Sequence, residues 1–118
     1  MASTILLTGA TGYIGSHTWL ALWEAGYEVV GVDDFRNSSR RVLERLEKIS
    51  GRVPRFIEGD VCDAKRMDGI FRDTTFDAVV HFAALKAVGE SVAQPLAYYR
   101  NNVGGLLTVC DAMQRHGC

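Results

Sequence analysis

A parallel, doubly wound α/β sheet is the fold class that three features of this 118-residue chain predict. Short apolar runs alternate with helical patterns along its whole length, a glycine-rich turn joins the first run to the first helix, and an acidic residue closes the second run. The alternation gives four βα units. The rules for connecting parallel strands then give the strand order 3-2-1-4, with ligands expected beyond the carboxyl ends of the strands, at the switch point between strands 1 and 4.

Thr4-Ile5-Leu6-Leu7 reads as the first strand. A helical pattern runs from Tyr13 to Ala25 and stops at Gly26. Its Ile14, Thr18, Ala21, Leu22 and Ala25 are expected to face the sheet, with Trp19 and Trp23 as packing residues on a neighbouring face. Residues 27–32 form the second strand, which ends on Asp33. The turn formers of 34–39 make a polar loop, and residues 40–49 a helix carrying Val42, Leu43, Leu46 and Ile49 at helical spacing. After a break at 50–54, residues 55–59 form the third strand and lead into Asp60-Val61.

Asp63 is the expected N-cap of a helix over 64–72, with Met67, Ile70 and Phe71 inward. The nearly continuous apolar run 77–84 reads as a fourth strand covered on both faces. Pro95 suits the first turn of a last helix, 95–116, and Gly117 its stop. Tyr99, Val103, Leu106, Cys110 and Met113 make its expected core stripe. Gly104-Gly105 inside that helix costs about 1 kcal/mol per glycine relative to alanine, so a helix or the sheet is expected to come close there.

The stretch 4–33 carries the chemistry. Strand, Gly9-x-x-Gly12-x-x-Gly15 turn, helix, strand and Asp33 together make the mononucleotide-binding half of a Rossmann-type dinucleotide fold. Gly9 permits the tight turn, Gly12 lets backbone N–H groups approach a pyrophosphate, and Gly15 lets helix and strands pack closely. Asp33, eighteen positions after Gly15, is placed to accept from a ribose 2′-OH and to repel a 2′-phosphate, which favours NAD over NADP. The marked segments 9–15, 33–38, 60–61 and 82–86 all fall at the carboxyl ends of strands.

Composition is that of an ordinary globular domain, 47% apolar and 23% charged with net charge −1, which gives no reason to expect nucleic acid or a membrane surface as partner. The opening residues lack a basic segment and a long apolar run, so neither a signal peptide nor a span is expected, and the expected location is cytoplasmic. Cys62, Cys110 and Cys118, with His17, His81 and His116, show no ligand spacing, and no metal site is expected.

Thr8, Gly9, Gly12 and Gly15 match the Thr-Gly-x-x-Gly-x-x-Gly pattern of the extended short-chain dehydrogenase/reductases. The segment His81-Phe82-Ala83-Ala84-Leu85-Lys86-Ala87-Val88-Gly89-Glu90-Ser91 resembles the hallmark of the UDP-glucose 4-epimerase family. Tyr13-Ile14-Gly15-Ser16-His17-Thr18, Asn37-Ser38 and Tyr98-Tyr99-Arg100-Asn101-Asn102-Val103 resemble it too, in the same order and at the same intervals, so that the match covers essentially the whole chain. Two positions depart from the pattern: Asp34 stands where the family often has Asn, and Ala84 where some members have Gly.

The resemblance implies a set of NAD contacts. The amides of Tyr13 and Ile14 would meet the pyrophosphate, and Asp33, Asp34, Phe35, Arg36, Asn37 and Ser38 would surround the adenosine. Asp60 and Val61 would flank the adenine, while Phe82, Ala83, Ala84, Leu85 and Lys86 would line the nicotinamide side and Asn101 would reach the cofactor from the last helix.

It also implies an isomerase of galactose metabolism that interconverts UDP-glucose and UDP-galactose through a 4-keto intermediate. It implies as well a homodimer, paired partly through the helix of residues 95–116. The family's Ser/Thr and Tyr-x-x-x-Lys lie beyond the part matched here, so no catalytic residue is assigned. The chain is expected to be the N-terminal part of an NAD-binding Rossmann domain, cut before strand 5, without the substrate domain and inactive by itself. The alternatives are another NAD-dependent nucleotide-sugar-modifying enzyme and a non-catalytic NAD(H)-binding module.

Overall fold

A computed structural model describes residues 2–118. Four strands, β1 (Thr4–Thr8), β2 (Glu28–Asp33), β3 (Arg55–Glu58) and β4 (Ala78–His81), form one parallel sheet in the order β3-β2-β1-β4. Five helices connect and follow them: α1 (Tyr13–Glu24), α2 (Arg41–Ser50), α3 (Ala64–Asp73), α4 (Val88–Ala93) and α5 (Pro95–His116). The doubly wound parallel sheet is thus as the alternation predicts.

Strand alternation sorts the core into two layers. Leu6, Val30 and Val32 point to one face and meet Val61, Met67, Ile70 and Phe71 from the α3 side, and Val109 and Ala112 of α5. Leu7 and Val29 point to the other and meet Ala10, Trp19, Trp23 and Leu46, the layer of α1 and α2. Asp63 caps α3 as expected, its carboxylate accepting the Arg66 N–H at 3.1 Å.

Two helices show a different face from the one expected. On α1 the buried positions are Gly15, Trp19 and Trp23, whereas Ile14, Ala21 and Ala25 are exposed. This helix is apolar nearly all round, so periodicity does not single out a side. The sheet chooses the indole, because Gly31 of β2 leaves a notch for it: a Cβ on Gly31 would lie 2.3 Å from the Trp19 ring. Burying an indole there removes more apolar surface from water than burying Ile14 or an alanine would.

On α5 the buried residues are Tyr98, Gly105, Val109 and Ala112, while Tyr99, Val103, Leu106 and Cys110 are exposed and Met113 is half-buried. Gly105 sets that rotation. It lies against the segment after β3, where a Cβ would meet Val61 at 2.9 Å. Gly104 meets nothing, so only one of the paired glycines answers to a close approach.

Three smaller differences follow from packing. Ile49 of α2 is exposed, leaving Leu46 as that helix's buried anchor. β4 stops at His81, short of 84, because its partner β1 ends at Thr8 opposite it, and as an end strand it is only half-buried. α4 is a helix the sequence reading does not contain. It ends at Gln94, whose φ of −130° and ψ of 58° reflect the exclusion of helical geometry before Pro95.

Candidate functional site

The carboxyl ends of all four strands open into one cleft of about 440 Å³. Its floor is the turn after β1. Gly9 has a φ of 63°, and a Cβ there would strike the backbone of Phe82 at 2.7 Å, so only glycine lets β1 turn beside β4. A Cβ on Gly15 would lie 2.1 Å from the Gly9 carbonyl oxygen. Both glycines are thus required by the protein's own packing.

Gly12 differs. Its φ is −72°, and its Cβ would make only an ordinary 3.4 Å contact. It is the N-cap of α1 and faces the cleft; no side chain caps that helix end, and no acidic residue stands in its first turn. The missing side chain therefore leaves open the space through which an anion would approach the helix amides, where the dipole favours negative charge.

Asp33 is fixed beside this turn. One carboxylate oxygen accepts the Thr11 N–H at 3.1 Å and the other the Phe35 N–H at 3.2 Å. The buried Thr11 hydroxyl bonds Ser38 at 2.6 Å, tying the loop after β2 to the loop after β1. Phe35 sits at φ 59°, the left-handed region that a bulky side chain rarely takes. Its backbone bond to Asp33 and the packing of its ring on Phe56 and under Arg40 hold it there.

The opposite wall is held by Thr8 and Asn102. The Thr8 hydroxyl oxygen accepts the N–H of Phe82 at 3.0 Å and of Ala83 at 3.2 Å, and sits 2.6 Å from His81 Nδ1. With two donors already on that oxygen, its own hydrogen goes to Nδ1, which makes His81 the neutral Nε2–H tautomer. Burial likewise lowers the His81 pKa below the ordinary imidazole value. Asn102 grips Leu85 twice, accepting its N–H at 2.8 Å and donating to its carbonyl at 3.0 Å. This clamps the loop that carries Lys86 onto α5.

Of the site residues expected from the sequence, Gly9, Gly12, Tyr13, Ile14, Asp33, Asp34, Arg36, Asn37, Ser38, Asp60, Val61, Phe82, Ala83, Ala84, Leu85, Lys86 and Asn101 line this one cleft. Gly15 and Phe35 do not: the first lies under the turn, and the second turns its ring towards Phe56. The cleft also takes in Val32, Gly59, Ala87, Glu90 and Tyr98. Glu90 and Tyr98 are missed: Glu90 arrives on α4, whose six residues are too few to signal a helix, and Tyr98 on a face of α5 other than the expected Tyr99 stripe. Burial and the Glu90 carboxylate raise the Tyr98 pKa. Asp34, beside Asp33, is paired with Arg36 at 3.1 Å, which offsets its negative charge.

Fold and cleft together define a Rossmann-type α/β protein with a glycine turn of the short-chain dehydrogenase/reductase pattern at the cleft floor. The model of the NAD dependent epimerase/dehydratase family matches residues 5–118, and the chain belongs to that family. It is 51% identical over 113 residues to the UDP-glucose 4-epimerase of Klebsiella pneumoniae, a match covering 96% of this chain and 81% of that protein. To the UDP-glucose 4-epimerase of Bacillus subtilis it is 49% identical over 113 residues, covering 96% of this chain and 33% of the relative. The chain therefore spans about a third of that relative's length. The crystal structure of UDP-glucose 4-epimerase from Bifidobacterium longum, in complex with NAD+ and UDP, matches with a TM-score of 0.94 at 44% identity, covering 98% of this chain and 34% of that one. Among the described residues no helix is long and apolar enough to cross a membrane.

Proposed function

We propose that this chain forms the NAD-holding part of a UDP-glucose 4-epimerase. The observation that carries the reading is Gly12. It is the one glycine of the turn whose bareness the fold does not require, and it opens an uncapped helix end onto the same cleft in which Asp33 is fixed. A diphosphate fits that opening, and a ribose hydroxyl fits a carboxylate oriented by two backbone donors. Asp60 and Val61 then flank the adenine, Phe82 to Lys86 the nicotinamide side, and Asn101 reaches in from α5. Bound there, NAD supplies reversible hydride exchange with the sugar.

This chain's residues bind and orient. Lys86 brings a positive charge to the cleft wall with no ion-pair partner among the described residues, suited to a phosphate or ribose hydroxyl. None of them stands as the acid/base at the sugar 4-OH. By resemblance that role belongs to a Tyr-x-x-x-Lys pair outside the sequence described here, as does the grip on UDP-glucose or UDP-galactose. The 118-residue chain is therefore expected to be inactive alone. Leu96, Tyr99, Val103 and Leu107, exposed on α5, support pairing of two subunits along that helix. The three free thiols suit a reducing, cytoplasmic setting.

Calorimetric titration with NAD and NADP tests the reading: NAD binds, NADP binds much more weakly, and equal affinity for both would sink it. An assay for UDP-galactose turnover should read blank for this chain and positive for a longer form carrying the Tyr-x-x-x-Lys pair.

A further inference from the structure

Arg36 crosses the mouth of the cleft. Its backbone N–H donates to Asp34 Oδ1 at 3.0 Å, and its guanidinium lies 3.1 Å from Asp34 Oδ2, so both ends of the residue are anchored on the β2 side. The same guanidinium reaches Asp60 Oδ2 at 3.4 Å on the loop after β3 and Asn101 Oδ1 at 3.1 Å on α5. Asn101 in turn donates to Asn102 at 3.0 Å, the residue that clamps Leu85. One side chain thus ties three separate walls of the cleft together, and its partners are all acceptors that a planar fork can meet at once.

We propose that Arg36 is a clasp over the adenine end of the cleft, pivoting on Asp34 and opening its Asp60 and Asn101 contacts to admit and release the dinucleotide. The proposal rests on the reading of the cleft as an NAD site and adds what governs residence there. The guanidinium side chain is 45% exposed, so its pairs are screened by solvent and the clasp opens readily. Closed over a bound dinucleotide, its plane would offer the adenine a stacking surface. Asp34 has a second role in this arrangement, as the hinge that keeps Arg36 attached while the far contacts are broken.

Stopped-flow release of NADH from the full chain tests it, with the wild type, Arg36→Ala and Arg36→Lys compared. Both variants should release NADH roughly fivefold to tenfold faster, the effect of losing two exposed polar contacts, because lysine keeps the charge but offers no fork. Unchanged release from Arg36→Ala overturns the clasp while leaving the NAD reading intact. Fast release from Arg36→Ala with wild-type release from Arg36→Lys also overturns it, since charge alone would then suffice. Failure of the wild type to bind NADH overturns the clasp and the NAD reading together.

Discussion

Replacing Gly12 with alanine separates what the fold needs from what a ligand needs. At φ −72° alanine is unstrained there, and its Cβ meets the Gly9 carbonyl at an ordinary 3.4 Å. The cost to the fold is that of a poorer N-cap, about 0.5–1 kcal/mol. A domain of this size loses roughly 3–6 °C of Tm per kcal/mol, so the variant should melt only about 2–6 °C lower. On the proposed NAD reading, however, the methyl group stands where a diphosphate enters to reach the helix amides. Losing one charge-assisted hydrogen bond is worth about 1.5–3 kcal/mol, or roughly a 10- to 150-fold loss in NAD affinity. Gly15→Ala is the comparator. Its Cβ would sit 2.1 Å from a backbone oxygen, so the turn itself must move, at a net cost of about 2 kcal/mol or more after the helix-propensity gain. Differential scanning calorimetry beside NAD titration reads both quantities. A Gly12→Ala protein that binds NAD as tightly as wild type, or one that melts as badly as Gly15→Ala, refutes the reasoning.

Asp33→Ala should weaken NAD and also loosen the loop, because two backbone donors lose their acceptor; a titration and a thermal melt should both move, and NADP should gain only when an arginine is added nearby. Asp63→Ala removes the α3 cap and should cost about 1 kcal/mol without changing NAD affinity, as a urea melt with a cofactor titration would report. The His81 contribution depends on pH with a definite sign. Its folded pKa is depressed by burial, so the unfolded chain takes the proton first. The contribution is fully present above the ordinary imidazole value of about 6.5, falls as pH drops from there through the lower folded value, and changes no further below it. Melts between neutral and acidic pH should show that fall in wild type and a flatter profile in His81→Gln; parallel profiles would contradict the assignment.

The parallel sheet, its strand order, the Asp63 cap and both ends of α5 were legible because each has a local cause: an apolar run, an acceptor before a helix, a proline at its start and a glycine beyond its end. The cleft was legible at the strand ends because a doubly wound parallel sheet opens its binding crevice there, whichever of the turn glycines the packing also requires. α4 was not legible. Six residues carry too little periodicity to stand out, and the boundary at Gln94 is imposed by the next residue. The inward faces of α1 and α5 differ from the periodicity for one shared cause. Both helices are apolar on more than one side, so the decision passes to whatever surface lies opposite.

That surface decides through glycine in both cases, and the consequence reaches the outside of the molecule. Gly31 gives the sheet a notch that draws Trp19 inward and turns Ile14 out to the cleft, where it is 52% exposed. Gly105 draws α5 down on Val61, so the helix presents Leu96, Tyr99, Val103, Leu106 and Leu107 to solvent. β4 adds a half-buried end strand that pairs with β1 alone among the described strands. An apolar helix face and an unpaired strand edge are the two kinds of surface that associate most readily. The 118-residue chain is therefore expected to self-associate through α5 or β4; analytical ultracentrifugation with hydrogen exchange checks this, and a stable monomer with protected β4 amides would refute it.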